Sequence, residues 1–193
     1  GAAVAIYGST YQGVRNGKLY AINADGNQKW VYDTQATNKN LDCFPAVTAD
    51  GNVVYILDAD NVLHAIQTAD GSTKWKNVLV GTAIKAGAVA IDQNGHIYAG
   101  TRSYIYAFDA AGELLWQVAA SVTEIGSFAL TNGTLYAAQT GSAGVMAVNT
   151  QDGQVKWSYA ANGDAYAPII GKDGTVYFVD NGGESLYAVS AEG

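Results

Sequence analysis

The sequence predicts an all-β chain of stacked four-stranded antiparallel sheets, a β-propeller, over its 193 residues. Three observations carry this. A turn followed by tryptophan recurs at a period near 41. Short apolar runs are punctuated by Asn-Gly and Asp-Gly pairs. The central runs are apolar on both faces, which a sheet tolerates only when covered on both sides.

The repeat sets the frame. Trp30, Trp75, Trp116 and Trp157 are spaced 45, 41 and 41, and the preceding turn glycines Gly26, Gly71, Gly112 and Gly153 share that spacing. A fifth turn glycine, Gly193, follows 40 residues later. An aliphatic–large–Ala triplet keeps the same phase at Leu19-Tyr20-Ala21, Leu63-His64-Ala65, Ile105-Tyr106-Ala107, Val145-Met146-Ala147 and Leu186-Tyr187-Ala188. The two prolines, Pro45 and Pro168, are 123 residues apart and each stands six residues before the glycine of an Asp-Gly turn. Fixed periodicity of this length marks repeat architectures such as propellers.

Each unit reads as four runs, A to D. In the second unit they are FPAVT (44–48), NVVYILD (52–58), VLHAIQ (62–67) and TKWKNV (73–78). Helix is excluded because no run is long enough and Gly, Asn and Asp interrupt every few residues. Runs A and B join through Asp50-Gly51, Asn94-Gly95, Asn132-Gly133 or Asp173-Gly174, strong hairpin signals because both residue types tolerate positive φ. Runs C and D join through the recurring turns. The blades expected in one propeller domain (1–193) are approximately 1–34, 43–79, 85–119, 125–160 and 165–193. The first lacks its A run and the last its D run, giving eighteen strands where five complete blades need twenty. The expectation is a partial propeller of about five blades, three of them complete, with open edges that favour self-association. A compact five-bladed form and strands supplied by partner chains are the alternatives.

Composition agrees with a turn-rich β protein: Gly 23, Tyr 13, Pro 2 and Met 1. Formal net charge is −7 without a basic cluster, which argues against nucleic acid. No apolar run is long enough for a membrane span. The opening GAAVAIYGST has no basic n-region and no apolar h-region of a signal peptide. The single Cys43 excludes an internal disulfide and a multi-cysteine metal site.

The consensus D-G-x-V-Y … L-Y-A … D-G-x-x-x-W resembles the PQQ-like repeat of the bacterial quinoprotein dehydrogenases, which also builds non-enzymatic BamB-like propellers. Gly-His and Trp-Asp dipeptides of WD repeats are absent, and the one Gly-Gly pair, Gly182-Gly183, does not fit kelch repeats. The resemblance implies that Trp30, Trp75, Trp116 and Trp157 pack between blades. It implies a periplasmic or extracellular bacterial setting. The dehydrogenases hold PQQ against a Trp and a vicinal disulfide and use an Asp base beside Ca²⁺. With one cysteine and every Trp in the blade motif, no cofactor, no metal and no catalytic residue is expected here.

Strand direction places the A–B and C–D turns on one face and the longer B–C and D–A loops on the other. The candidate binding face is the loop face, with Tyr11, Arg15, Asp42, Lys85, Arg102, Glu124 and Asp164, and around them Asn40, Asp60 and Asp180. The plain reading of these residues is solvated loop. His64 fills the slot of Tyr20, Tyr106, Met146 and Tyr187 and reads as packing; His96 opens a strand with no evident partner. DADN (58–61) lacks the distal Glu of a calcium loop and reads as turn chemistry. Asn132-Gly133-Thr134 is a formal glycosylation sequon that the turn already explains. Cys43 reads as a small residue opening the A run of unit 2. The leading expectation is a protein-interaction scaffold of BamB-like type. The alternatives are a small-ligand or glycan sensor, with Tyr11 and Tyr166 stacking on a sugar, and a fragment of a PQQ-dependent dehydrogenase.

Overall fold

The computed structural model describes residues 4–9, 15–38, 42–81, 86–120, 125–131, 133–141 and 144–193. All regular structure in them is strand. The first sheet holds β1 (Val4–Ser9), β2 (Arg15–Ile22) and β3 (Gln28–Asp33). After the two-residue β4 (Asp42–Cys43), the second sheet is β5 (Ala46–Val47), β6 (Val53–Leu57), β7 (Val62–Gln67) and β8 (Thr73–Val78). The third is β9 (Ala86–Ile91), β10 (Ile97–Gly100), β11 (Tyr104–Phe108) and β12 (Leu114–Ala119). The fourth is β13 (Ile125–Thr131), β14 (Thr134–Gln139), β15 (Gly144–Asn149) and β16 (Val155–Tyr159). The fifth is β17 (Ile169–Ile170), β18 (Val176–Val179) and β19 (Leu186–Val189).

These are antiparallel meanders in sequence order, and the arrangement is that of a partial β-propeller. One pairing was not expected. β4 pairs in parallel with β9, Asp42 opposite Ala86 and Cys43 opposite Gly87. Cys43 therefore does not open the first strand of sheet two. Its backbone extends sheet three, and the described strands number nineteen, not eighteen. The first strands of neighbouring sheets approach one another, β9 with β5 and with β13, so they line the centre of the fan. β4 consequently lies at the central edge of sheet three.

Burial explains the doubly apolar second runs. All of β6, β10 and β14 is buried, because a sheet lies against each face. The outer strands β8, β12 and β16 are largely exposed. The core is three successive clusters. One joins sheets one to three through Leu19, Tyr55, Ile66 and Phe108; the next joins three and four through Tyr98, Ile125 and Leu135; the last joins four and five through Val145, Val176 and Phe178.

The tryptophans tie each sheet to the next. Trp30, Trp75, Trp116 and Trp157 pair with Ala21, Ala65, Ala107 and Ala147, and each ladder shifts register immediately afterwards. The residue before the Trp (Lys29, Lys74, Leu115, Lys156) is the extra one of a bulge, a device that bends a strand and re-aims its side chains. Each indole Nε1 then donates to a carbonyl in the turn after the third strand of the following sheet: Thr68 at 2.9 Å, Ala110 at 3.2 Å, Thr150 at 2.9 Å and Ala191 at 2.9 Å. The ring covers the turn glycine. A Cβ on Gly71 or Gly153 would come within 2.8 Å of the indole, and both glycines have φ near +75° (+77° and +74°), so two separate reasons demand glycine there. Within its own sheet the Trp also meets the second-strand tyrosine, as Tyr55–Trp75 at 5.5 Å and Tyr98–Trp116 and Tyr136–Trp157 at 5.7 Å.

Candidate functional site

The acidic residues expected on the loop face mostly staple loops together. Asp60 accepts from Thr37 N–H, Thr37 O–H and Asn38 N–H, joining the link that leaves sheet one to the second–third strand loop of sheet two. Asp180 accepts from Asn162 N–H at 2.9 Å and Tyr187 O–H at 3.0 Å. Asp164 accepts from Gly141 N–H at 2.7 Å and from the Asn181 amide at 3.3 Å. Bonds to the ionised form outweigh burial in holding the Asp60 and Asp180 carboxyls below the usual carboxylate range. These carboxylates already have partners, and their role is to fix one sheet's loops against the next.

The other expected residues are dispersed. Tyr11, Asn40, Lys85 and Glu124 lie outside the described residues. Arg15 begins β2 opposite Ser9, and Asp42 begins β4 opposite Ala86. Arg102 sits half-buried between β10 and β11, and its Nε is buried without a partner.

A different cluster forms at the loop end of the central strands. A cavity of about 310 Å³ is lined by Phe44, Gly126, Ser127, Thr140, Asp164 and Tyr166, with Ala165 and Ala167 in its wall. Phe44 is 75 % exposed and Tyr166 53 %. Phe44 follows β4, which places it at this end of the fan. Ser127 Oγ is buried with no hydrogen-bond partner, a state that buried polar atoms rarely show. The register of β13 on β14 shifts between Ile125 and Ser127, so the inner strand is irregular at this cavity. Its apolar lining with few polar groups is that of a ligand-receiving pocket at the small end of the usual range.

Of these residues the sequence reading named Tyr166 and Asp164 and missed Phe44, Gly126, Ser127 and Thr140. A signal existed. Phe44 and Ala167 directly precede the two prolines, whose spacing places them at the same point of the repeat, and a residue before proline is held extended. Both line the cavity.

The turn face holds clefts around the Asp92–His96 turn; one of about 650 Å³ is lined by Asp92, Asn94, His96, Leu115, Gln151 and Lys156 among others. Its charged groups are engaged with the protein itself. His96, which seemed partnerless in the sequence, places Nδ1 3.0 Å from Asp92 Oδ2, and Tyr98 O–H donates to the same oxygen at 3.0 Å. Lys156 donates to Thr134 Oγ1 at 2.6 Å and to the Gly133 carbonyl at 3.2 Å. His64 is more than packing. It is buried with Nε2 2.7 Å from Asp58 Oδ2 and Nδ1 3.0 Å from Tyr32 O–H, and Thr73 O–H donates on to Tyr32 at 3.2 Å. Asp58 also accepts the N–H groups of Asp60 and Val62, so the network closes a loop and links sheets one and two. Among the described residues, no group of three or more His, Cys, Asp or Glu side chains is placed to hold a metal ion. No helix there is long and apolar enough to cross a membrane.

Comparison with known proteins agrees with this architecture. A family model described as outer membrane protein assembly factor BamB matches residues 1–103 and again residues 101–193. Among solved structures, BamB from Moraxella catarrhalis superposes with a TM-score of 0.78 at 18% sequence identity. The match covers 100% of this chain and 59% of that one, so the chain spans less than two thirds of the propeller it resembles. None of the curated proteins matches the chain in sequence. Two successive matches of one repeat model account for the full length, and the chain belongs to the BamB family of PQQ-like repeat propellers.

Proposed function

We propose that this chain is a non-enzymatic interaction scaffold that receives a protein partner on its loop face. The observation that carries this reading is the pair of exposed aromatic side chains, Phe44 and Tyr166, over a mostly apolar cavity, on a face whose described acids are largely consumed in staples. Exposed apolar groups on a rigid scaffold mark interaction sites. Membership in a family described as an outer membrane protein assembly factor supports a partner in that process and a periplasmic, outer-membrane-associated bacterial setting. Self-association through the two edges of sheet five, where Leu186 on β19 and Ile169 on β17 are exposed, is a companion proposal.

An array of overlapping peptides from outer-membrane β-barrel proteins, probed with the labelled chain, tests the scaffold. Discrete peptides should bind, and the double variant Phe44→Ser/Tyr166→Ser should lose at least tenfold in signal. Val78→Ser, which removes an exposed apolar residue from the outer strand of sheet two, should not. A silent array, or one that responds equally to both variants, overturns the reading. For self-association, light scattering that shows only monomer up to millimolar concentration overturns it.

A further inference from the structure

We propose that the cavity beneath Phe44 and Tyr166 is a receptor for one uncharged aliphatic or aromatic side chain of an extended partner segment, with Ser127 Oγ hydrogen-bonded to that segment's backbone. The proposal rests on the scaffold reading and specifies its occupant.

Size comes first. At about 310 Å³ the cavity takes one large side chain with its flanking peptide groups, not a folded element. Its wall is built from small residues, Gly126, Ala165 and Ala167, which leaves the volume open, while the two aromatic residues stand exposed around it.

Gly126 opens onto space that neither backbone nor packing requires. Its φ is not in the left-handed region, so the backbone does not require glycine there. A Cβ built on it would meet no heavy atom within 4 Å, so packing does not require glycine either. By contrast, a Cβ on Gly153 would strike the Trp116 ring. The open space at Gly126 serves no contact within the chain and is available to an occupant.

Ser127 supplies the polar half. Ser127 lines the cavity, its Oγ is buried and unpartnered, and a hydroxyl can donate to a peptide carbonyl or accept from a peptide N–H. The charge of the occupant follows from Asp164. Among the described residues it is the one charged side chain of the lining, and its two oxygens are bonded to Gly141 N–H and the Asn181 amide. An anionic side chain would be repelled, and a cationic one would have to share carboxylate oxygens that already accept from Gly141 N–H and the Asn181 amide. A saccharide would need several unengaged polar groups, and besides the exposed Tyr166 hydroxyl the described lining holds a single buried orphan, Ser127 Oγ.

Titration with N-acetyl-leucinamide, N-acetyl-phenylalaninamide, N-acetyl-aspartate amide and maltose, followed by amide chemical shifts, tests this. The two apolar amides should perturb Gly126, Ser127 and Ala165 with millimolar affinity. N-acetyl-aspartate amide should bind at least tenfold more weakly. Gly126→Leu should abolish binding while keeping near-ultraviolet circular dichroism and thermal midpoint, and Ser127→Ala should weaken it threefold to tenfold. Saturation by maltose with no response to the amides makes the pocket a sugar site and overturns the inference. So does amide binding that Gly126→Leu leaves unchanged. Should the array respond to Phe44→Ser/Tyr166→Ser while the amides do not bind, the cavity proposal falls and the scaffold stands. With amides bound and the array silent, the scaffold falls and the receptor remains.

Discussion

The indole of Trp116 lies on Gly153 of the next sheet and donates from Nε1 to the Thr150 carbonyl at 2.9 Å. The same relation joins Trp30 to Gly71 and Trp75 to Gly112. Gly153→Ala adds a methyl 2.8 Å from the ring and forces alanine to φ +74°. Left-handed strain and overpacking together should lower stability by about 2–4 kcal/mol. Gly26→Ala is the control, because Gly26 has φ +86° but nothing within 4 Å of its Cβ. It should cost about 1 kcal/mol, from backbone strain alone. Urea midpoints that are equal for the two variants would show that the indole contact contributes nothing.

The Asp58–His64 pair should be strongly coupled. Asp58→Ala strands the His64 ring and the N–H groups of Asp60 and Val62, all buried or partly so, and should cost about 3–5 kcal/mol. The fourth sheet fills the equivalent positions with Gln139 and Met146, whose amide and sulfur are 3.9 Å apart. Asp58→Gln combined with His64→Met reproduces that pair. A double-mutant cycle should therefore return less than the sum of the single losses. Strict additivity would mean that the ring and the carboxylate do not interact.

Alkaline pH should destabilise the fold through buried phenols. Burial first, and nearby acids second, raise the Tyr55 and Tyr98 hydroxyls above their ordinary value near 10, and burial raises Tyr106. A raised folded value means stability that is complete below the ordinary value and declines as pH rises beyond it. Absorbance at 295 nm should show these three ionising only with unfolding. Asp92→Asn should bring Tyr98 down, since it removes the adjacent charge. A single titration near pH 10 for all tyrosines in folded protein would contradict this.

The acid side runs the other way. Thr48 O–H and Asn52 N–H hold Asp50 low, Ser72 N–H and O–H hold Asp70 low, and Thr175 N–H and O–H hold Asp173 low. A depressed folded value gives stability that is present above the ordinary carboxylate range and lost as pH falls through the folded values. Urea midpoints should drop below about pH 4. The triple variant Asp50→Asn/Asp70→Asn/Asp173→Asn, which keeps the turn-forming side-chain carbonyls, should flatten that drop. An unchanged slope would remove these turns from the acid response.

The repeat was legible because its cause is local. Asp-Gly turns and the Trp stand at fixed offsets, and each offset is dictated within one hairpin. The bulge at Lys29, Lys74, Leu115 and Lys156 was not legible, since no residue type demands it; it arises from the need to lay an indole on the next sheet. β4 was hidden for a related reason. Its pairing with β9 joins segments more than forty residues apart with no turn between them. The candidate site was only partly legible in the sequence. Charged loop residues attracted notice, yet Asp60, Asp164 and Asp180 bind their own loops, whereas an orphan hydroxyl at Ser127 and an unneeded glycine at 126 show no signature until neighbours are known.

Every tryptophan link points from a sheet to its successor, and units two to four each carry both halves, a glycine turn that receives and an indole that is delivered. A unit copied in tandem would arrive with matching ends and mate with both neighbours without any compensating substitution. The architecture can thus lengthen by gene duplication alone, each new member inheriting its coupling, as in one-dimensional arrays stabilised by nearest neighbours.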